Sequence, residues 1–172
     1  GGPTLDLASG TGVLNGLGST IINFATVSVD SGAYWSFIGG NTITSGVTLS
    51  NAGTVGGTSH LVDAGLVRNG GSIVGALTLG NGGAVSNLAS GTLDGIFGSG
   101  GNSVANAGTI YSAGTGAAFS GTAANTLTNS GTIVGNGGTS VQFGSGNDLL
   151  QLASGAVFTG QVDGGAGGNT LE

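Results

Sequence analysis

Asn106-Ala107-Gly108-Thr109-Ile110 is the stretch whose reading decides the fold. Near-copies stand at Asn51-Ala52-Gly53-Thr54-Val55, Asn69-Gly70-Gly71-Ser72-Ile73 and Asn129-Ser130-Gly131-Thr132-Ile133. A looser copy begins at Asn87, where Leu88-Ala89-Ser90 precede Gly91-Thr92-Leu93. The five asparagines are 18, 18, 19 and 23 residues apart, and an apolar residue precedes each by two places: Leu49, Val67, Val85, Val104 and Leu127. The unit is therefore apolar-x-Asn-x-Gly-Thr/Ser-apolar. A unit that recurs at this interval marks a stacked repeat architecture, in which neighbouring turns bury one another's apolar face.

Each part of the unit has a physical reason. Asn and Gly tolerate left-handed backbone, so the Asn-x-Gly pairs Asn51/Gly53, Asn69/Gly71, Asn106/Gly108 and Asn129/Gly131 are expected to form sharp corners. The Thr-apolar pair that follows is a short strand, with one side chain outward and one inward. Coils of 18–23 residues hold two or three such strands, and about eight coils spaced ~4.8 Å apart would make a rod of roughly 40 Å. Helices fit poorly, because each interior Gly costs ~1 kcal/mol relative to Ala and no 3.6-residue apolar period persists. Apolar residues alternate instead, as in Thr42-Ile43-Thr44 and Val47-Thr48-Leu49. An all-β sandwich would show more varied loops than these near-identical corners. The expected fold is an all-β parallel β-solenoid.

Composition is consistent with that reading. Of 172 residues 41 are Gly and 1 is Pro, which approaches the low-complexity range. A hydrophobic fraction of 38%, with glycines in register with β-branched residues, argues against disorder. One Arg, no Lys and seven acidic residues give a net charge of -6, which disfavours nucleic acid and anionic membrane surfaces as partners. No apolar run approaches the ~20 residues of a spanning helix, so no direct membrane insertion is expected in this segment. The absence of Cys excludes disulfides and thiolate metal sites, and suits a β-protein exported unfolded. The chain opens on Gly1-Gly2-Pro3 without a Met or a signal-like segment. Residues 1–172 are read as one solenoid segment of a longer array, with regular coils over 45–172 and a less regular 1–44.

Leu-Ala-Ser-Gly recurs at Leu7–Gly10, Leu88–Gly91 and Leu152–Gly155. The termini also match, Gly1-Gly2-Pro3-Thr4-Leu5-Asp6 against Gly167-Gly168-Asn169-Thr170-Leu171-Glu172, an offset of 166. A tandem period near that offset is expected. Solenoid ends need polar caps, none is evident, and an open end templates pairing with another chain. Copies of the chain itself are thus candidate partners, end to end or laterally.

The Asn-x-Gly-Thr-Ile units, with Gly144-Ser145-Gly146-Asn147-Asp148-Leu149-Leu150-Gln151-Leu152 and Gly160-Gln161-Val162-Asp163-Gly164-Gly165-Ala166-Gly167, resemble autotransporter passenger domains. They are also similar to the large repetitive haemagglutinin-like adhesins of Gram-negative bacteria. The resemblance spans about residues 45–172. It implies a right-handed parallel β-helix, secreted or held on the bacterial cell surface, with an adhesive or stalk role toward a host or neighbouring cell. The membrane-embedded β-barrel of such proteins is not in this stretch.

Candidate chemistry is sparse. Gly144-x-Gly146-x-Asp148-x-Leu150 resembles half of a calcium-binding nonapeptide, in which carboxylate and carbonyl oxygens suit Ca²⁺. Phe143 replaces its first Gly and no consecutive copy follows, so Asp148 and Asp163 are weak calcium candidates and no cofactor is expected. His60, Asp63 and Arg68 form the one cluster of ionisable residues, read as a polar loop or a small binding group. Glycan hydrolysis needs paired acids, and elimination needs a base with a cation. Neither set is present, so the chain is not read as an enzyme. Tyr34, Trp35 and Phe37 are the one aromatic-dense stretch, core filling or a sugar- or partner-binding group. Thr54, Ser72, Thr92, Thr109 and Thr132 are expected to stack into an outward hydroxyl column, although Thr-x-Thr of the ice-binding kind occurs only at Thr42–Thr44 and Thr126–Thr128.

The expected function is that of an extracellular stalk or adhesive segment. A self-assembling subunit of a surface filament or layer is the alternative, and a carbohydrate-active β-helix the lesser one.

Overall fold

The computed structural model describes residues 1–57 and 61–172. No described residue is helical, and the 22 strands among the described residues, nearly all short, wind into a parallel β-solenoid. One face stacks nine strands: β1 (Thr4–Leu7), β3 (Thr26–Val29), β6 (Thr48–Asn51), β9 (Leu66–Asn69), β12 (Ala84–Asn87), β15 (Ser103–Asn106), β18 (Thr126–Asn129), β20 (Leu149–Leu152) and β22 (Thr170–Leu171). Partners along it run Thr4, Thr26, Thr48, Leu66, Ala84, Ser103, Thr126, Leu149, Thr170. The steps between them are 22, 22, 18, 18, 19, 23, 23 and 21 residues, hence eight coils.

A second face carries β2 (Gly10–Leu14), β4 (Ala33–Phe37), β7 (Thr54–Gly56), β10 (Ser72–Ile73), β13 (Thr92–Leu93) and β16 (Thr109–Ser112). A third carries β5 (Asn41–Ile43), β8 (Leu61–Asp63), β11 (Leu77–Leu79), β14 (Ile96–Gly98) and β17 (Ala117–Phe119). The long β19 (Thr132–Gln142) crosses from the second face to the third and joins them, and β21 (Val157–Asp163) pairs with it.

The core is a set of columns, one residue per coil. Leu49, Val67, Val85, Val104 and Leu127 align, each at most 3% exposed. Val55, Ile73, Leu93, Ile110 and Ile133 form a second column on the facing sheet, each at most 1% exposed. These are the residues that the repeat unit places inward. Stacked β-branched and Leu side chains bury apolar area continuously, at about 25 cal/mol per Å².

The asparagines depart from the expected role. Neither they nor Gly53, Gly71, Gly108 and Gly131 adopt a left-handed backbone; Asn23 is the one described non-glycine residue that does. Asn51, Asn69, Asn87, Asn106 and Asn129 point inward instead, at most 3% exposed, in one column that continues Leu7 and Val29 and leads on to Leu152. The amide nitrogens of Asn51, Asn69, Asn87 and Asn106 each donate to the amide oxygen of the next coil, at 2.8, 2.9, 2.8 and 2.8 Å along the series. The same nitrogens donate to carbonyls such as Gly71 O and Thr92 O, which the corner would otherwise strand in the interior. A carboxamide is both donor and acceptor, so one residue type can satisfy itself in every coil.

The glycines are required by crowding. A Cβ on Gly71 would strike the Gly53 carbonyl, one on Gly108 the Gly91 and Leu88 carbonyls, and one on Gly131 the Gly108 carbonyl. The corner glycines therefore lie backbone on backbone. Leu-Ala-Ser-Gly is likewise not one structural position: Leu7 and Leu152 share the asparagine column, whereas Leu88 lies outside it and is exposed.

Candidate functional site

The sequence-predicted groups do not converge. Along β4 Trp35 and Phe37 turn inward and Tyr34 outward, so the three do not share one surface. Phe37 is fully buried, and Trp35 lies half-buried over Gly12 with its Nε1–H donated to the Ala8 carbonyl at 3.1 Å. Only Tyr34 faces out, leaning over Gly56. The polar loop expected over 60–68 is, over its described residues, the strands β8 and β9. Asp63 points into the core and Arg68 outward, aligned with Ser50 and Ser86, so they form no common group. His60 lies outside the described residues.

Asp63 is anomalous. It aligns with Ile43 in the preceding coil and Leu79 in the next, wholly out of water. Its Oδ1 accepts the Gly65 N–H at 2.9 Å, and its Oδ2 has no partner. Desolvation raises its pKa from 3.8 to about 7, against the opposing pull of the Gly65 and Ala84 backbone N–H groups.

Asp148 occupies a second amide ladder, at the corner that leads into the nine-stranded face. Asn102 N–H donates to Asn125 Oδ1 at 3.0 Å, Asn125 N–H and Nδ2 both donate to Asp148 Oδ1 at 2.7 and 2.9 Å, and Asp148 N–H donates to Asn169 Oδ1 at 2.9 Å. Asp148 is thus a rung, with Oδ2 buried and unpartnered. Asp163 closes a turn onto Gly165 N–H at 2.9 Å. Among the described residues no three His, Asp or Glu side chains gather as metal ligands.

The outward side of the second face holds the surface chemistry. Thr54, Ser72, Thr92, Thr109 and Thr132 align there as one hydroxyl column, with Tyr34 before it and Val157 after it. Alternation sends the second residue after each of these outward too: Gly56, Val74, Asp94, Tyr111 and Val134. Asp94 and Tyr111 wall a notch of about 320 Å³, completed by Ser112 and Ala113. Asp94 Oδ2 accepts the Gly75 N–H at 3.0 Å. Tyr111 is 47% exposed, and its hydroxyl accepts Asn136 Nδ2 at 2.7 Å. Ser112 Oγ accepts the Gly114 N–H at 3.1 Å. Sequence reading missed these residues, though the signal existed: the position after each Thr-apolar pair must face out, and only there do a carboxylate and a phenol fall in consecutive coils.

No protein-family model, no curated protein and no solved structure matches the chain.

Proposed function

We propose that this chain is a non-catalytic rod segment displayed outside the cell, as a stalk or an adhesive surface. The observation that carries it is the buried five-asparagine ladder running beside an unbroken apolar column. Over β6, β9, β12, β15 and β18 consecutive coils are tied by side-chain amides as well as by sheet bonds, which suits a part that holds its length and presents its outer faces. The sequence resemblance to surface adhesins supports the same reading. Cells displaying the protein should bind a surface that cells carrying a deletion of residues 1–172 do not; unchanged attachment would remove the adhesive half of the proposal.

A second reading, self-assembly, rests on register. Thr170 and Leu171 fall in the same columns as Thr4 and Leu5, and Leu171 is 68% exposed at the outer strand of its sheet. A second copy adding its first coil there would continue both columns. Electron microscopy of the purified chain separates the two: fibres favour assembly, and short monodisperse rods exclude it.

A further inference from the structure

At the notch between Asp94 and Tyr111 an aromatic ring, a carboxylate with one oxygen to spare and two hydroxyls line one cavity. We infer that it binds a single neutral pyranose unit of a glycan, stacked on the Tyr111 ring and held by Asp94 and Ser112. The inference rests on the adhesive reading above and names the ligand class of that surface.

Each polar group is held by a neighbour in a way that leaves its useful valence free. Asp94 spends Oδ2 on the Gly75 N–H, so Oδ1 remains to accept from a sugar hydroxyl. Ser112 Oγ accepts the Gly114 N–H, which leaves its own proton to donate. The Tyr111 oxygen accepts from Asn136 Nδ2, which steadies the ring while its hydroxyl proton stays available. Anchoring of this kind lowers the ordering cost of binding. Asp94 and Tyr111 follow the paired residues Leu93 and Ile110, in consecutive coils whose strands lie ~4.8 Å apart, and both line the notch. That spacing suits one sugar ring offering its C–H face to the phenol and its edge hydroxyls to the carboxylate.

The volume is at the lower end of ligand sites, room for one ring rather than a buried oligosaccharide. Charge selects among sugars: Asp94 lines the notch, the chain carries -6, and Arg68, its one Lys or Arg side chain, belongs to the other sheet. Uronic and sialic acids are therefore repelled. A peptide stacked on Tyr111 is the competing occupant, and binding that is confined to peptides, with none to neutral sugars, overturns the inference.

Saturation-transfer NMR on the full chain tests this, with cellobiose, maltose, lactose and N,N′-diacetylchitobiose as probes and glucuronic acid as the acidic control. At least one neutral disaccharide should receive saturation and glucuronic acid none. Tyr111→Ala should abolish the signal, Asp94→Asn should weaken binding about fivefold, and Tyr111→Phe should retain it, with folding of each variant checked by circular dichroism. Tyr34→Ala, on the same face but outside the notch, should bind as the parent does. No transfer to any neutral sugar, or binding that survives Tyr111→Ala, overturns the inference. Attachment of displaying cells is scored separately: attachment that persists without sugar binding sinks the notch and leaves the adhesive reading standing, while loss of both readouts sinks both.

Discussion

The side-chain nitrogen of Asn69 donates to the side-chain oxygen of Asn87 at 2.9 Å, and both residues are at most 1% exposed. Repeated over five coils, this contact turns a residue that tolerates turns into an internal tie. An amide buried without partners would cost about 1–3 kcal/mol. Stacked in register, each amide is the partner of the next.

Asn87 sits mid-ladder, so its loss strands groups on both sides. Asn87→Ala removes the acceptor of Asn69 Nδ2, the donor to Asn106 Oδ1 and the donor to the Gly91 and Thr109 carbonyls. It should lower stability by about 3 kcal/mol in urea unfolding. Asn129→Leu, at the ladder end beside Leu152, should cost clearly less. Equal losses at the two positions would show that the ladder is not cooperative.

Gly108 and Gly82 separate crowding from backbone strain. Gly108 has no left-handed φ, but a Cβ there meets two carbonyl oxygens; Gly82 has φ +73° with open space around it. Gly108→Ala should cost about 3 kcal/mol, whereas Gly82→Ala should cost about 1 kcal/mol. Calorimetry of the two variants ranks them, and the reverse order would mean that left-handed backbone governs the corners after all.

Asp63 makes stability depend on pH in the direction opposite to a salt-bridged carboxylate. Its folded pKa of about 7 lies above its ordinary 3.8, so between those values the folded chain holds a proton that the unfolded chain has released. Stability should therefore fall as pH rises from about 4 to about 7, by up to about 4 kcal/mol, and then level off. Urea midpoints for the parent and Asp63→Asn should diverge across that window. His60 is present in both proteins, so it drops out of the difference. Parallel curves would place the proton elsewhere.

Asp148 is a carboxylate in an amide ladder, with one oxygen bonded twice and the other unpartnered. Asp148→Asn keeps an acceptor for Asn125 and replaces the orphaned oxygen with a donor group. It should raise the melting temperature slightly, for a gain of about 1 kcal/mol, and added calcium should not shift either protein. A calcium-dependent rise in melting temperature, lost in Asp148→Asn, would instead establish an ion site there.

Much of this molecule was legible before folding. The 18, 18, 19 and 23-residue spacing of the asparagines is the coil step, and the apolar residue two places before each is a core column, because a strand alternates and a parallel stack repeats the same alternation at each level. The hydroxyl column was legible for the same reason.

What lay beyond reach was anything that depends on which groups from different coils meet. Asn is compatible both with a turn and with a buried ladder, and only the stacking of its own equivalents makes burial affordable. Local sequence placed Asp63 in a polar cluster, while the alignment of β8 between β5 and β11 turned it into the core. Asp94 and Tyr111 are 17 residues apart along the chain, and they become neighbours only because Leu93 pairs with Ile110. The sequence by itself determined the coil and its inward residues, since periodicity is a local property. The tertiary structure alone decided the amide ties, the buried acid and the notch, since each is a contact between side chains that only the winding brings together.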